Sequence, residues 1–202
     1  MEATRDLTRR ERKKKLTREN LMAVAIEIIS KQGIYVTTIE DVTEKADIGK
    51  GTFYQYFSGK DELLEMLLKE GLEKLMAQCR EYSKQSANFK DGLKTVVKAH
   101  VDFLMSEESF VLIFHQVRGL LQLKQEISAN LKEIYGDYLL QLADLLGRHL
   151  QPSPRNQEKS RKIAMSLAAY STGLINHHRL FHKKLDFLMD SAEMENKIIA
   201  AL

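Results

Sequence analysis

The 202-residue sequence predicts an all-α protein of about nine helices. Apolar residues recur every three or four positions along most of the chain, which is the spacing of helices that bury one face. The chain contains only two prolines and ten glycines, too few turn residues for a fold of many short strands. A chain of this length buries about 70% of its unfolded surface, enough for a stable core without covalent cross-links.

The composition excludes several classes of protein. Cys79 is the single cysteine, so neither an intrachain disulfide framework nor a cysteine-based zinc site is possible. Apolar residues never run unbroken for the ~18 positions that a membrane span requires. The N-terminus is charged where a signal peptide would be apolar, so we expect a cytoplasmic protein with no membrane partner.

The first predicted helix covers about residues 18–32, from an N-cap at Thr17 to an exit at Gly33. Eight basic residues precede or open it, between Arg5 and Arg18. Residues 1–60 hold twelve basic and nine acidic residues, which accounts for the whole net charge of +3. The basic cluster fits either a solvated tail or an arm that binds DNA phosphates.

Two short helices follow. Thr38 with Asp41 three residues later predicts the start of the second helix, and the segment 47–49 ends it. The third helix covers about residues 50–57 and ends at Ser58 and Gly59. Two short helices joined by a tight turn outline a helix-turn-helix motif. Its predicted core residues are Ile39, Val42, Ala46, Ile48 and Phe53.

The third helix has an unusual composition for a core helix. Gly49 and Gly51 each weaken it by about 1 kcal/mol relative to alanine. Bare backbone at these positions lets another surface approach closely. Tyr54, Gln55 and Tyr56 are consecutive, so they cannot all face the core. Exposed hydroxyl and amide groups on a short helix suit contacts with DNA.

Helical periodicity continues to the end of the chain. Further helices are predicted from residue 60 or 61 to about 83–86, from Asn88 to about 106, and over about 110–118, 124–150, 158–181 and 191–201. The segment 151–156 contains both prolines and is predicted to be a linker.

Residues 18–64 resemble the TetR/AcrR family of bacterial transcription regulators. The resemblance rests on Thr37-Thr38-Ile39, on Val42 and Ala46, and on the unbroken run 49–63, GKGTFYQYFSGKDEL. Thr43 and Asp47 depart from the alanine and glycine more common there. The resemblance implies an N-terminal three-helix helix-turn-helix DNA-binding domain, residues 1–60. It also implies a C-terminal helical domain for ligand binding and dimerisation, residues 61–202.

The resemblance also implies which residues contact DNA. They are Thr38, Gly49, Lys50, Gly51, Thr52, Tyr54, Gln55, Tyr56 and Lys60. Thr38 would bond a phosphate, and Tyr56 and Lys60 would hold the DNA backbone. Each of three residues has an alternative role. Tyr54 could pack in the core, Tyr56 could be a solvated surface ring, and Lys60 could interact with charge at the start of its own helix.

The function implied is a homodimeric repressor of a palindromic operator, with the dimer formed by the last two long helices. A small apolar or amphipathic effector would release it from double-stranded DNA. Aromatic and polar side chains on the middle helices are the candidate effector contacts: Phe110, Phe114, His115, Arg118, Tyr138 and Tyr170. A ligand-independent architectural or protein-interaction factor of the same fold is the alternative.

Catalytic and metal-binding constellations are not predicted. The sequence contains none of the common nucleophile, phosphate-loop or zinc-protease motifs, so we expect neither an enzyme nor a cofactor. His178 and His182 are four residues apart, but no carboxylate or cysteine nearby completes a ligand set. We therefore expect no metal, and His178 and Arg179 are interpreted as residues of the dimer interface or its rim.

Overall fold

The computed structural model describes residues 8–120, 126–185 and 189–202, with side chains throughout except at 126–128 and 182–185. These residues form nine helices and no strand, which confirms the predicted fold class. The helices are α1 (Arg9–Gln32), α2 (Ile39–Lys45), α3 (Lys50–Phe53), α4 (Lys60–Tyr82), α5 (Phe89–Ser106), α6 (Glu108–Leu120), α7 (Glu126–Gly147), α8 (Pro154–Leu185) and α9 (Ser191–Ala201).

The chain divides into two compact units, residues 1–67 and residues 68–202, with the division inside α4. In the first unit α1 packs on α2 and α2 on α3. In the second, α7 and α8 form the most extensive helix pair, and α5 packs on α7, α8 and α9. None of the helices in the described ranges is long and apolar enough to cross a membrane.

The start of α1 differs from the prediction. The helix begins at Arg9, capped by Thr8, whose hydroxyl accepts the Glu11 N–H at 3.3 Å while the Glu11 carboxylate accepts the Thr8 N–H at 2.8 Å. Thr17 is therefore not a cap: it lies inside α1, where its hydroxyl donates to the Lys13 carbonyl at 3.0 Å. Basic residues 9–18 are helical rather than an extended arm, and Arg5 lies outside the described residues.

The short helices begin and end largely as predicted. The Thr38 hydroxyl accepts the Asp41 N–H at 3.1 Å, and the Asp41 carboxylate accepts the Thr38 N–H at 2.8 Å, so the capping box is confirmed. Between α2 and α3, Asp47 has φ 53°, a left-handed conformation. That conformation favours glycine and also suits aspartate, which explains the residue found in this turn. Helix α3 is shorter than predicted, because residues 54–56 form a turn.

The predicted core of the first unit is confirmed in part. Val42, Ala46 and Phe53 are buried, whereas Ile39 and Ile48 are only half-buried. Phe57 completes the packing with its ring centroid 5.5 Å from that of Phe53.

The linker after α7 has the predicted length of six residues but lies three residues earlier than expected. Pro154 is the first residue of α8 rather than part of the loop. Proline suits that position because its φ is already helical and the N–H that it lacks would have no partner in the first turn. Both prolines therefore lie where the chain changes direction, and only residues 148–153 connect the two helices.

Candidate functional site

The segment 49–56, which contains α3, presents the predicted DNA-contacting residues together. Gly49, Lys50, Gly51, Tyr54 and Gln55 are exposed, while Thr52 and Tyr56 are half-buried. A Cβ atom added at Gly49 or Gly51 would meet nothing within 4 Å, so the backbone there is open to close approach. Apart from the buried Phe53, residues 49–55 thus form an accessible segment after the turn.

Tyr54 lies at the surface rather than in the core. Its side chain is 55% exposed, and its ring meets Phe53 edge to face with the centroids 5.5 Å apart. The core-packing alternative therefore does not describe this residue. Phe53 beneath it is fully buried and fixes the base from which the Tyr54 ring projects.

Lys50 forms an exposed ion pair with Glu40 of α2. This bond raises the pKa of Lys50 and lowers the pKa of Glu40. The pair lies across α2 and α3, and it orients the Lys50 side chain in the free protein. A DNA phosphate or base edge would compete with the Glu40 carboxylate for the same ammonium group.

Thr38 is exposed at the start of α2. Its hydroxyl oxygen accepts the Asp41 N–H, and a hydroxyl that accepts in this way retains its own O–H as a donor. The Thr38 N–H bond lowers the pKa of the Asp41 carboxyl. The residue has the geometry to cap α2 and to donate to a phosphate at once.

Lys60 has partners that the sequence did not indicate. Its ammonium group donates to the carbonyl oxygens of Ile34 and Thr37, at 2.6 and 2.8 Å. These atoms belong to the loop between α1 and α2, 26 and 23 positions away. Periodicity and local motifs carry no signal for contacts at that separation.

The first two turns of α1 add positive charge to this unit. Residues 9–15 are all exposed, and six of them are arginine or lysine. Further along the helix, the Arg18 guanidinium lies 6.0 Å from the centroid of the Phe57 ring. A helical basic segment presents its charges at fixed positions, unlike a solvated tail.

In the second unit a row of aromatic rings joins α5, α6 and α7. Ring centroids lie 5.7 Å apart between Phe103 and Phe110, 5.8 Å between Phe110 and Phe114, 5.6 Å between Phe114 and Tyr135, and 5.6 Å between Tyr135 and Tyr138. The structure thus brings together Phe110, Phe114 and Tyr138 of the predicted effector contacts. Phe103 and Tyr135 were missed, because they are adjacent to the others only in the folded chain.

A buried polar group ends this row. The Tyr138 hydroxyl donates to His100 Nε2 at 2.7 Å, and His100 Nδ1 donates to the Val96 carbonyl at 3.0 Å. Burial lowers the pKa of His100 to about 4, so the imidazole is neutral. Cys79 Sγ lies 3.4 Å from His100 Nδ1, and burial raises the pKa of its thiol to about 12. An un-ionised thiol is unreactive, so Cys79 acts as a buried packing residue.

The other three predicted effector contacts lie outside the row. His115 is exposed, and the Asn176 side-chain amide is 3.3 Å from its Nε2 atom. Arg118 donates to the Thr172 hydroxyl at 3.4 Å. Tyr170 is 40% exposed on α8, beside a shallow pocket that Ser166, Ala169 and Ala201 also line.

The histidines and Arg179 of α8 have structural roles. His178 is buried, and its Nε2 atom accepts the Met189 N–H at 3.0 Å; the side chain of His182 lies outside the described residues. Arg179 donates to the carbonyls of Leu104 and Met105 at 2.8 and 2.9 Å, which satisfies the C-terminus of α5. Both side chains are bonded within their own chain, and the interpretation of His178 and Arg179 as residues of the dimer interface or its rim stays a prediction. Over the described part of the chain, no three His, Cys, Asp or Glu side chains are placed to hold a metal ion.

Comparison with known proteins identifies the first unit. Residues 21–67 match the model of the bacterial regulatory proteins of the tetR family. The chain is 25% identical over 134 residues to the fatty acid metabolism regulator protein of Bacillus subtilis, which is 65% of this chain and 66% of that protein. It is 27% identical over 97 residues to the transcriptional repressor KstR2 of Mycobacterium tuberculosis, 48% of each chain. These alignments span about half to two thirds of the relatives' lengths.

The fold as a whole is also similar to solved structures. The transcriptional regulator FadR from Bacillus subtilis, solved in complex with stearoyl-CoA, superposes with a TM-score of 0.73 at 19% identity. The superposition covers 90% of this chain and 95% of FadR. The superposition extends through both units, so the second unit has the same helical fold as the corresponding part of FadR.

Proposed function

We propose that the chain is a homodimeric repressor of the tetR family, whose model residues 21–67 match. It binds a palindromic operator through its first unit, and an apolar or amphipathic ligand bound in its second unit releases it. It is a regulator and not an enzyme. The main support for the proposal is the segment 49–56, which follows the turn of the helix-turn-helix motif. Most of its polar side chains and the backbone of its two glycines are accessible to another molecule.

DNA binding is supported by two kinds of accessible group, those suited to base edges and those suited to phosphates. Lys50 and Gln55 are exposed and have the donors that read base edges in the major groove. Thr38, Tyr56 and the basic turns of α1 have hydroxyl and cationic groups suited to phosphates. The proposed interface also includes Gly49 and Gly51, whose bare backbone lets DNA approach closely, and the side chains of Thr52 and Tyr54.

Ligand binding is supported by the aromatic row from Phe103 to Tyr138. A row of aromatic side chains that ends in one polar group suits a ligand with an apolar body and a single polar end. FadR is solved with stearoyl-CoA, and the Bacillus relative is named a fatty acid metabolism regulator. We therefore propose a fatty acyl group, carried as a thioester, as the effector class. Phe110, Phe114 and Tyr138 are retained as its contacts, with His115, Arg118 and Tyr170 as outer residues.

Dimerisation is supported by large apolar side chains that are exposed along α8. Met165, Ala169, Gly173, His177 and Phe181 recur at four-residue spacing, and each is exposed or half-buried. Met165 is 58% exposed, Phe181 42%, and Leu140 on α7 is 49% exposed. Large apolar side chains that are exposed along a long helix suit burial against a second copy, in which the same surface meets itself.

A binding experiment with an acyl thioester tests the proposal. The operator is selected from random-sequence DNA, and affinity is measured with and without stearoyl-CoA, with coenzyme A as the matched control. We expect one dimer to protect two half-sites about 34–36 Å apart or a multiple of that spacing. Stearoyl-CoA at 100 times its Kd should weaken operator binding and raise Tm by about 5–10 °C, and coenzyme A should do neither.

Three results would overturn parts of this proposal. Protection of one unsymmetrical half-site by a monomer would exclude the dimer. Operator binding that no acyl thioester affects, with no rise in Tm, would favour the ligand-independent factor. If the selection enriches no DNA sequence, the proposal that this protein is a sequence-specific DNA-binding regulator is wrong.

A further inference from the structure

The loop between α1 and α2 exposes two large apolar side chains. Tyr35 is 74% exposed and Val36 is 66% exposed, the highest values among large apolar side chains in the described ranges. Their neighbours Ile34 and Thr37 are each only 2% exposed. The loop is thus anchored at both ends while its centre projects into solvent.

Hydrogen bonds fix this loop. Gly33 ends α1 in a left-handed conformation with φ 91°. The Thr37 hydroxyl donates to the Gly33 carbonyl at 2.8 Å, and the Thr37 N–H donates to the same oxygen at 3.3 Å. The two Lys60 bonds then hold the carbonyls of Ile34 and Thr37 from the other side. Because the loop is ordered in the free protein, binding through Tyr35 and Val36 costs little conformational entropy.

The loop leads directly into the proposed DNA interface. Thr38, which caps α2, follows Thr37 in the chain, so Val36 is two residues from a proposed phosphate contact. Residues 34–36 form a turn, and two residues of any chain span at most about 7 Å, close to the spacing of neighbouring phosphates along one DNA strand. A DNA strand that reaches Thr38 therefore also lies within reach of Tyr35 and Val36.

We propose that the loop 34–37 is a further DNA-contacting segment. This inference rests on the proposed function and adds to it. The Tyr35 hydroxyl donates to a phosphate oxygen, and the Val36 methyl groups lie against a deoxyribose. Lys60 is a positioning residue, because two of its three N–H donors hold the loop that carries these side chains. The contacts are to the DNA backbone, so they act alike on operator and random DNA.

Substitutions of the loop test the contact. Tyr35→Ala should weaken binding to operator and to random DNA by similar factors of about tenfold, since it removes a hydrogen bond to a charged group. Tyr35→Phe removes only the hydroxyl and should show most of that loss. Tyr82→Phe is the matched control: it removes a phenolic hydroxyl from the second unit and should leave DNA affinity unchanged. Tm should be unchanged in Tyr35→Ala, because the side chain is exposed.

Salt dependence and a double variant distinguish a positioning role of Lys60 from a direct bond between Lys60 and a phosphate. Positioning predicts that Lys60→Met weakens DNA binding while the slope of log K against log salt stays unchanged. It also predicts that Tyr35→Ala adds no further loss in the Lys60→Met background. A direct bond from Lys60 to phosphate predicts instead a slope smaller by about 0.9 for each phosphate no longer neutralised, and additive losses. That outcome would overturn the positioning role.

The contact between the loop and DNA is tested independently of Lys60. Binding by Tyr35→Ala and Val36→Ala that equals wild type would overturn the inference, whether or not Lys60→Met folds. If Lys50→Ala and Gln55→Ala still lose operator affinity in the same assay, the proposed function stands and only the loop contact fails.

Discussion

The ring of Phe110 lies directly against Gly71 of α4, so that a Cβ atom added at Gly71 would overlap the ring carbons Cε2 and Cδ2. Both residues are buried, and Phe110 stacks in turn on Phe114 with an interplanar angle of 13°. The glycine thus provides the space in which the first ring on α6 sits. The aromatic row depends on α4 as well as on the helices that carry its rings.

Gly71→Ala is expected to destabilise the protein, although alanine favours helix by about 1 kcal/mol. The added methyl group must displace Phe110, and overpacking of this kind costs about 1–3 kcal/mol. Gly136→Ala on α7 is the control, because nothing lies within 4 Å of a Cβ atom there. Urea unfolding should show a loss for Gly71→Ala and a gain for Gly136→Ala; equal gains would show that Phe110 moves freely.

Stability is expected to fall as pH drops from 7 to 5, because His100 is buried and neutral. Its pKa is about 4 in the folded protein, against an ordinary value of 6.5 for histidine. The unfolded chain therefore binds a proton that the folded chain rejects, and stability present above pH 6.5 is lost progressively toward pH 4. The loss between pH 7 and 5 should be about 2 kcal/mol.

His100→Gln is the control for that titration. The variant is less stable at pH 7, because it loses the bond from Tyr138, but the His100 part of its pH dependence disappears. Urea midpoints at pH 7 and pH 5 measure both chains under the same conditions. An identical fall in wild type and variant would show that the folded protein protonates His100 as readily as the unfolded chain does.

Removal of residues 1–15 is expected to weaken DNA binding and to reduce its salt dependence. The exposed arginines and lysines of 9–15 lie on α1. Each phosphate that the shortened protein no longer neutralises lowers the slope of log K against log salt by about 0.9. Replacement of Lys13, Lys14 and Lys15 by glutamine keeps the helix and is the matched variant. A slope unchanged in both proteins would show that this basic segment is only solvated.

Local chemistry predicted much of the fold. Thr38 and Asp41 form the expected capping box, Asn88 caps α5 and α9 covers the predicted residues, because such signals lie within a few positions of one another. The Thr8–Glu11 box was missed since a charged segment has little apolar periodicity.

Contacts between distant segments were not predictable in the same way. Lys60 meets Ile34 across 26 positions, and the row from Phe103 to Tyr138 is assembled from three helices. Both depend on how helices pack, which hydrophobic spacing alone does not specify. The position of the helices in the sequence predicted Phe110, Phe114 and Tyr138 as candidates, but it could not predict Phe103 and Tyr135, which meet them only in the folded chain.

We propose that the segment 49–56 reads the DNA sequence. Lys50→Ala and Gln55→Ala test it, with Tyr56→Phe as the comparison at a position proposed to contact the backbone. All three proteins should fold, because none of these side chains belongs to the buried set of Val42, Ala46 and Phe53.

The decisive measurement is the ratio of operator affinity to random-DNA affinity for these variants at one fixed salt concentration. Lys50→Ala and Gln55→Ala should each lose about 1–3 kcal/mol on the operator and far less on random DNA, so the ratio falls. Tyr56→Phe should weaken both DNAs by similar factors and leave the ratio unchanged. An unchanged ratio in Lys50→Ala and Gln55→Ala would contradict the claim that this segment reads the operator.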